Sequence, residues 1–219
     1  MPVPTRDEYF DQWTQLHGGY DPRSSFMVRT WLSLVHVLAR PFVALRVPPD
    51  VVTVLGLGVS VGAVAIAAQG GRWPIVASLV LVVSGLVDNL DGAVAVMTGR
   101  TTRWGYVLDS AVDRISDAAY VVAFWALGAP GWLCALGAGL MMLQEYIRAR
   151  AGAAGMDEVG VVTVWERPTR VIATAAFLLG AGIYVSAAEQ WASAGAAFWV
   201  GAGVVGLIQL TIVVRRRLS

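Results

Sequence analysis

The sequence predicts an all-α fold: an integral membrane bundle of six transmembrane helices preceded by an interfacial amphipathic helix. Three observations carry that prediction. Of 219 residues, 57% are hydrophobic and only 14% charged, against about 25% charged in an ordinary soluble domain. Apolar runs at 51–68, 75–98, 105–127, 131–149, 170–188 and 191–214 approach or exceed the roughly 20 residues a helix needs to cross a hydrocarbon core. The 16 basic residues are all Arg, and they collect at one set of span ends. Arg40, Arg46, Arg100, Arg103, Arg148, Arg150, Arg167, Arg170 and Arg215 to Arg217 share that side, while Arg72 alone occupies the other. By the positive-inside rule the Arg-rich side and both termini face the cytoplasm.

Taken in order, residues 1–25 read as a polar N-terminal tail without the basic start and apolar core of a cleavable leader, so the first span directs insertion. In 26–47, Phe26, Trp31, Leu34, Val35 and Leu38 recur at helical spacing, interrupted by Arg29, His36 and Arg40 and broken at Pro41. That pattern predicts an interfacial helix with His36 on its surface. Residues 51–214 then form the six-helix bundle, and 1–219 is one membrane domain. Small residues in "GLGVSVG", "GAG" and "GAGVVG" let helix backbones approach closely. Packing within the chain explains them, and a homodimer face is compatible with them. The single Cys134 packs as a small hydrophobe. No nucleic acid partner is expected.

The chemistry concentrates in "DNLDGAVAVMTGRTTRWGYVLDSAVDRISD", residues 88–117. Asp88 and Asp91 share one helical face; Asp109, Asp113 and Asp117 share another at successive steps of four. The Thr- and Gly-bearing segment between them suits a turn that returns the second helix antiparallel to the first. A carboxylate in the middle of a span costs about 2.5–3.5 kcal/mol, so the set needs protons, Arg partners or metal ions. Without Cys or His beside it, zinc is disfavoured; hard divalent cations prefer carboxylate oxygen. A purely structural set of ion pairs and a cation or proton pathway are the competing readings, although pathway acids belong near the bilayer midplane.

These residues resemble the signature of the CDP-alcohol phosphotransferases, DxxDGxxAR followed by eight residues, G, three residues, D, three residues and D. Asp88, Asp91, Gly92, Ala95, Gly105, Asp109 and Asp113 hold those places. The resemblance implies transfer of a substituted phosphate from a CDP-linked donor, usually CDP-diacylglycerol, to an alcohol, with release of CMP. It further implies that Asp88, Asp91, Asp109 and Asp113 bind Mg²⁺ or Mn²⁺, two ions in all, and that Asp113 is the general base. The resemblance also makes Asp88 a donor contact, and Gly92 and Ala95 then leave room for the nucleotide, or serve as helix contacts.

Two departures stand out. Val96 occupies the signature's Arg position, which implies either that Arg100, one turn along, takes over on the donor or that the enzyme is weakened or inactive. Before the first span the family's PNxxT reads "PPDVVT"; Thr53 keeps its place as a donor contact and Asp50 can cap the helix as Asn would.

For the acceptor, "EYIRARAGAAG" and "WERPTR" are similar to members that use inositol phosphate, the phosphatidylinositol phosphate synthases. The resemblance implies acceptor contacts from Arg148, Arg150, Arg167 and Arg170, whose guanidinium forks suit a phosphorylated polyol. Glycerol 3-phosphate fits the same charges. Glu166 is expected to pair with Arg170, and Glu145 with Arg148 or Arg150.

Overall fold

The apolar runs do fold as helices, and short-range chemistry sets their ends. In the computed structural model, which describes residues 3–16, 18–156 and 162–219, every regular element is helical. They are α1 (Arg6–Leu16), α2 (Phe26–Ala44), α3 (Pro49–Ala67), α4 (Trp73–Thr98), α5 (Arg103–Ala126), α6 (Gly131–Ala153), α7 (Arg167–Ile183) and α8 (Ala188–Leu218). Short 3-10 turns precede α2 and α8. Among the described residues, three helical segments, Pro49–Ala67, Trp73–Thr98 and Val185–Leu218, are long and apolar enough to cross a membrane. Part of the segment between the expected spans at 131–149 and 170–188 lies outside the described residues.

The supposed N-terminal tail contains α1. Its start is a capping box: Thr5 N and Oγ1 donate to Glu8 Oε2 at 2.7 and 2.9 Å, and Glu8 N donates back to Thr5 Oγ1 at 3.3 Å. Tyr9 and Phe10, four and five residues beyond Thr5, are buried, and that burial is what stabilises so short a helix.

Pro41 lies inside α2 instead of ending it. A proline lacks one N–H but leaves its carbonyl available, and Leu45 N donates to Pro41 O at 2.9 Å. The stop comes at Arg46, whose φ is 57°. Arg46 N donates to Val43 O and Val47 N to Phe42 O, a Schellman closure with an arginine where glycine is usual. His36 is a second correction. It is buried at 6% exposure, stacks on Tyr9 with ring centroids 5.6 Å apart, and its Nε2 donates to Pro4 O at 3.0 Å. The packed α1 covers a position that a bare interfacial helix would have left open.

The chain divides into two units, residues 1–58 with 83–113 and residues 59–82 with 114–219. The first has an apolar core in which Tyr9 and Phe10 join Val35, Ala39, Leu90 and Val94. In the second, Leu81, Tyr120, Phe124, Trp165 and Trp199 pack together, with α8 lying along α6 and α7. Two of the predicted small-residue contacts are evident there. A Cβ on Gly182 would fall 2.6 Å from the Ile75 side chain, and one on Gly206 2.6 Å from Trp165, so only glycine admits those neighbours.

Candidate active site

In the first unit, α4 and α5 are joined by a turn that starts at Gly99. Its φ of 64° lets Gly99 N donate to Val96 O and Arg100 N to Ala95 O, which ends α4 in a Schellman closure. Three residues later Thr102 caps α5, its Oγ1 accepting from Gly105 N at 2.9 Å. At this N-terminus a Cβ on Gly105 would sit 3.2 Å from Thr102 Oγ1, tight against the capping hydroxyl, and in ordinary contact with Asp50 Oδ1 at 3.7 Å. Asp50 itself does not cap α3. That helix begins at Pro49, with Val51 N and Val52 N reaching Pro48 O, so Asp50 lies in its first turn. Proline at the first helical position removes a donor that would have had no partner.

This turn brings carboxylates of Asp88, Asp109 and Asp113 together, one oxygen of each within 4.8 Å of the others, all three residues half-buried. Three carboxylates so close, one from α4 and two from α5, fit a hard divalent cation, which takes oxygen ligands and offsets their mutual repulsion.

The group does not include Asp91. Asp91 is buried and accepts from the Thr53 hydroxyl at 2.6 Å through Oδ2 and from Gly92 N at 2.5 Å through Oδ1. Thr53 is one turn into α3, and its hydroxyl also approaches Pro49 O at 3.2 Å. Its bond to Asp91 therefore ties α3 to α4.

Beside these acids lies a cavity of about 340 Å³, within the size range of small-ligand sites. Thr53, Asp91, Gly92, Ala95, Arg100 and Asp109 line it, so every residue expected to touch the donor, except Asp88, is on its wall. A Cβ on Gly92 would meet no atom within 4 Å; packing makes no demand for glycine there, and the space in front of it belongs to the cavity. Val96 also lines the cavity while belonging to the apolar core of the unit. Pro49, Asp50 and Gly105 also line it, as do Leu16, Thr101, Thr102 and Tyr106, the last four of which carry no signature that points to them.

The second unit holds the four arginines expected at the acceptor, Arg148, Arg150, Arg167 and Arg170. Arg170 is wholly buried: Nη1 donates to Asp117 Oδ2 at 2.5 Å, Nη2 to Glu145 Oε1 at 2.6 Å and to Trp165 O at 3.0 Å. Glu145 also faces Arg114 at 2.6 Å and Arg148 at 3.7 Å. Glu166 is engaged by Arg148 at 2.8 Å, not by Arg170, and accepts from Thr163 N and Oγ1. The i+4 pairing fails because Glu166 is the N-cap of α7 and its carboxylate turns back toward Thr163. Burial pushes the Glu166 carboxyl up, but the Thr163 amide, the Arg148 guanidinium and the Thr163 hydroxyl together hold it below its usual range. Arg148 and Arg167 are half-buried and Arg150 is exposed. Asp117, placed by sequence on the acidic face of α5, belongs to this ion-pair network.

A family model described as CDP-alcohol phosphatidyltransferase matches residues 46–208, close to three-quarters of the chain. The chain belongs to the CDP-alcohol phosphatidyltransferase family. Within that family it is 39% identical over 132 residues to archaetidylinositol phosphate synthase of Methanothermobacter thermautotrophicus, covering 58% of this chain and 64% of the relative. It is 37% identical over 154 residues to phosphatidylinositol phosphate synthase of Mycobacterium marinum, covering 67% of this chain and 63% of the relative. The chain thus spans a little under two-thirds of the length of these two relatives. Among solved structures it is similar to Mycobacterium tuberculosis phosphatidylinositol phosphate synthase with CDP-DAG bound, at TM-score 0.67 and 31% identity over 83% of this chain and 94% of that one. The same enzyme in complex with manganese and citrate gives TM-score 0.68 and 30% identity over 81% and 87%. Membership agrees with the all-helical fold and the apolar helices of a membrane protein, and with an aspartate group suited to divalent metal.

Proposed function

We propose that this protein transfers the phosphatidyl group of CDP-diacylglycerol to a hydroxyl of inositol phosphate and releases CMP, at the cytoplasmic face of a membrane that it crosses six times. The observation that carries the reading is the group of Asp88, Asp109 and Asp113 in the same unit as the cavity lined by Thr53, Asp91 and Arg100. The inositol phosphate synthases among the relatives favour inositol phosphate over glycerol 3-phosphate as acceptor, and the manganese and CDP-DAG of the solved neighbour agree with a metal-dependent transferase.

Two ions, Mg²⁺ or Mn²⁺, would be held by Asp88, Asp91, Asp109 and Asp113, and would neutralise the diphosphate and the departing CMP. The protein's own groups do the rest. Asp113 accepts the proton of the attacking hydroxyl. The acceptor oxygen bonds to the phosphorus that carries diacylglycerol, and the bond from that phosphorus to the bridging oxygen of CMP breaks, its electron pair leaving with CMP. Thr53 fixes the orientation of Asp91, Gly92 and Ala95 leave room for the nucleotide, and Arg100 supplies the positive charge missing at Val96. Arg148, Arg150 and Arg167 hold the acceptor's phosphate. Arg170, its donors already committed, positions its neighbours instead of touching the acceptor.

The test is CMP release by purified protein in detergent with CDP-diacylglycerol, Mg²⁺ and either inositol phosphate, glycerol 3-phosphate or free inositol. Release that requires inositol phosphate and disappears in Asp113→Asn supports the proposal. Release with glycerol 3-phosphate alone reassigns the acceptor; ion flux in proteoliposomes without CMP would return the aspartates to a transport pathway.

A further inference from the structure

Helix α1 lies outside the family-matched residues 46–208, yet its last residue, Leu16, lines the cavity together with Thr53, Gly92 and Ala95. The helix is firmly held. Tyr9 and Phe10 are 2% and 1% exposed and share one apolar core with Val96. Arg23 clamps its outer face, pairing with Asp11 at 2.9 Å and Asp7 at 3.6 Å while its guanidinium lies 5.4 Å from the Phe10 ring centre. Val96, where the signature has Arg, is 9% exposed and stands between the cavity and the core on which α1 rests; the longer, charged side chain of Arg there would either enter that core at a high desolvation cost or turn into the cavity and give up the valine's contacts with the core.

From this we infer that α1 is a built-in wall of the donor pocket, with Leu16 as a specificity-determining contact for the cytosine and ribose, and that Val96 is the residue that lets this wall dock. The inference rests on the proposed reading of the cavity as the place of the CDP moiety. A nucleoside presents a flat, largely apolar face besides its phosphates. An aliphatic side chain gains affinity by covering such a face, whereas the polar groups of the cavity, Thr53, Asp91, Arg100 and Asp109, suit the ribose hydroxyls and the phosphates. Leu16 keeps 55% of its surface exposed, so changing it does not remove a core residue, and affinity can be read without loss of the fold.

The experiment titrates CDP with Mg²⁺ into the full-length protein in detergent by calorimetry, for wild type, Leu16→Ala and Leu16→Asp, and separately titrates Mn²⁺ without nucleotide. Leu16→Ala is expected to weaken CDP binding about fivefold, and Leu16→Asp more, with Mn²⁺ affinity and unfolding temperature unchanged. Hydrogen exchange in Val96→Arg is expected to show faster exchange in 6–16. If wild type binds no CDP, the nucleotide reading of the cavity fails and takes this inference with it. If wild type binds CDP and both Leu16 variants match it to within a factor of about two, the nucleotide reading stands and the role of Leu16 is overturned. A parallel loss of Mn²⁺ binding in the Leu16 variants would likewise overturn it, because α1 would then act on the whole unit. Unchanged exchange in Val96→Arg overturns the docking role of Val96.

Discussion

Arg170 Nη1 and Asp117 Oδ2 meet at 2.5 Å with both side chains at 0% exposure, so α7 and α5 are joined by an ion pair that solvent does not reach. Glu145 on α6 adds a second carboxylate to the same guanidinium at 2.6 Å. Charges withdrawn from water this completely are costly unless each keeps its partner.

Removing the cation should therefore cost far more than removing a surface charge. Arg170→Ala leaves Asp117 and Glu145 together without it and is expected to destabilise the protein by about 3–5 kcal/mol. Asp117→Asn keeps an oxygen acceptor for Nη1 and should cost less. Thermal unfolding in detergent checks both, and an Arg170→Ala protein as stable as wild type would show that the network contributes nothing.

The bond from Thr53 to Asp91, at 2.6 Å between buried groups, makes a narrower prediction. Thr53→Val retains the shape but removes the donor, leaving Asp91 Oδ2 without this bond. A buried acceptor so deprived costs about 1–3 kcal/mol, expected here as a fall in kcat/KM for CDP-diacylglycerol by a factor of roughly 5–150. Thr53→Ser restores the hydroxyl and should recover most of the loss, with the acceptor KM unaffected throughout.

Divalent ions bound by Asp88, Asp109 and Asp113 should be visible without any turnover. Electron paramagnetic resonance of Mn²⁺ titrated into the protein is expected to show binding that weakens about tenfold or more in Asp88→Asn and in Asp109→Asn. CMP release should cease after chelation and return with Mg²⁺ or Mn²⁺. Unchanged Mn²⁺ binding in both variants would remove the carboxylate group from the metal site.

Arg100 ends the Schellman closure of α4 and lines the cavity, whereas Arg72 precedes α4 in the other unit. Arg100→Ala is expected to lower donor turnover about tenfold or more, the scale of a lost charge-assisted contact, and Arg72→Ala to leave it near wild type. Equal rates in the two variants would mean that Val96 has no substitute.

What could be read from sequence followed from spacing. Asp88 in α4 and Asp109 and Asp113 in α5 were placed together because helical periodicity and one short turn determine their faces, whereas Thr53 was found by its place in "PPDVVT", which resembles the family's PNxxT. What could not be read depends on tertiary neighbours. The fate of Asp117 was hidden because its partner Arg170 lies 53 positions away; on α5 alone it looks like one more acid in a row with Asp113. His36 looked exposed because nothing local shows that Tyr9 will cover it. The Thr5–Glu8 capping box did stand in the sequence, and it is the signal by which α1, and so the position of Leu16, could have been found.

Glu166 gives a pH dependence outside the apolar spans. Its carboxyl is held below its ordinary value of 4.5 because bonds from Thr163 and Arg148 outweigh the effect of burial. A carboxylate whose folded pKa is depressed stabilises the folded state fully above its unfolded value, and that contribution fades as pH falls through the lowered folded value. The difference in unfolding temperature between wild type and Glu166→Gln should thus be constant at neutral pH and shrink as the pH drops below 4.5. Because the group is only half-buried, the difference should also narrow in high salt. Arg148→Ala should reduce it, since the 2.8 Å bond to Glu166 Oε1 is one of its sources. A difference that instead grows on acidification would mean that burial dominates and that Glu166 is held above the usual carboxylate range.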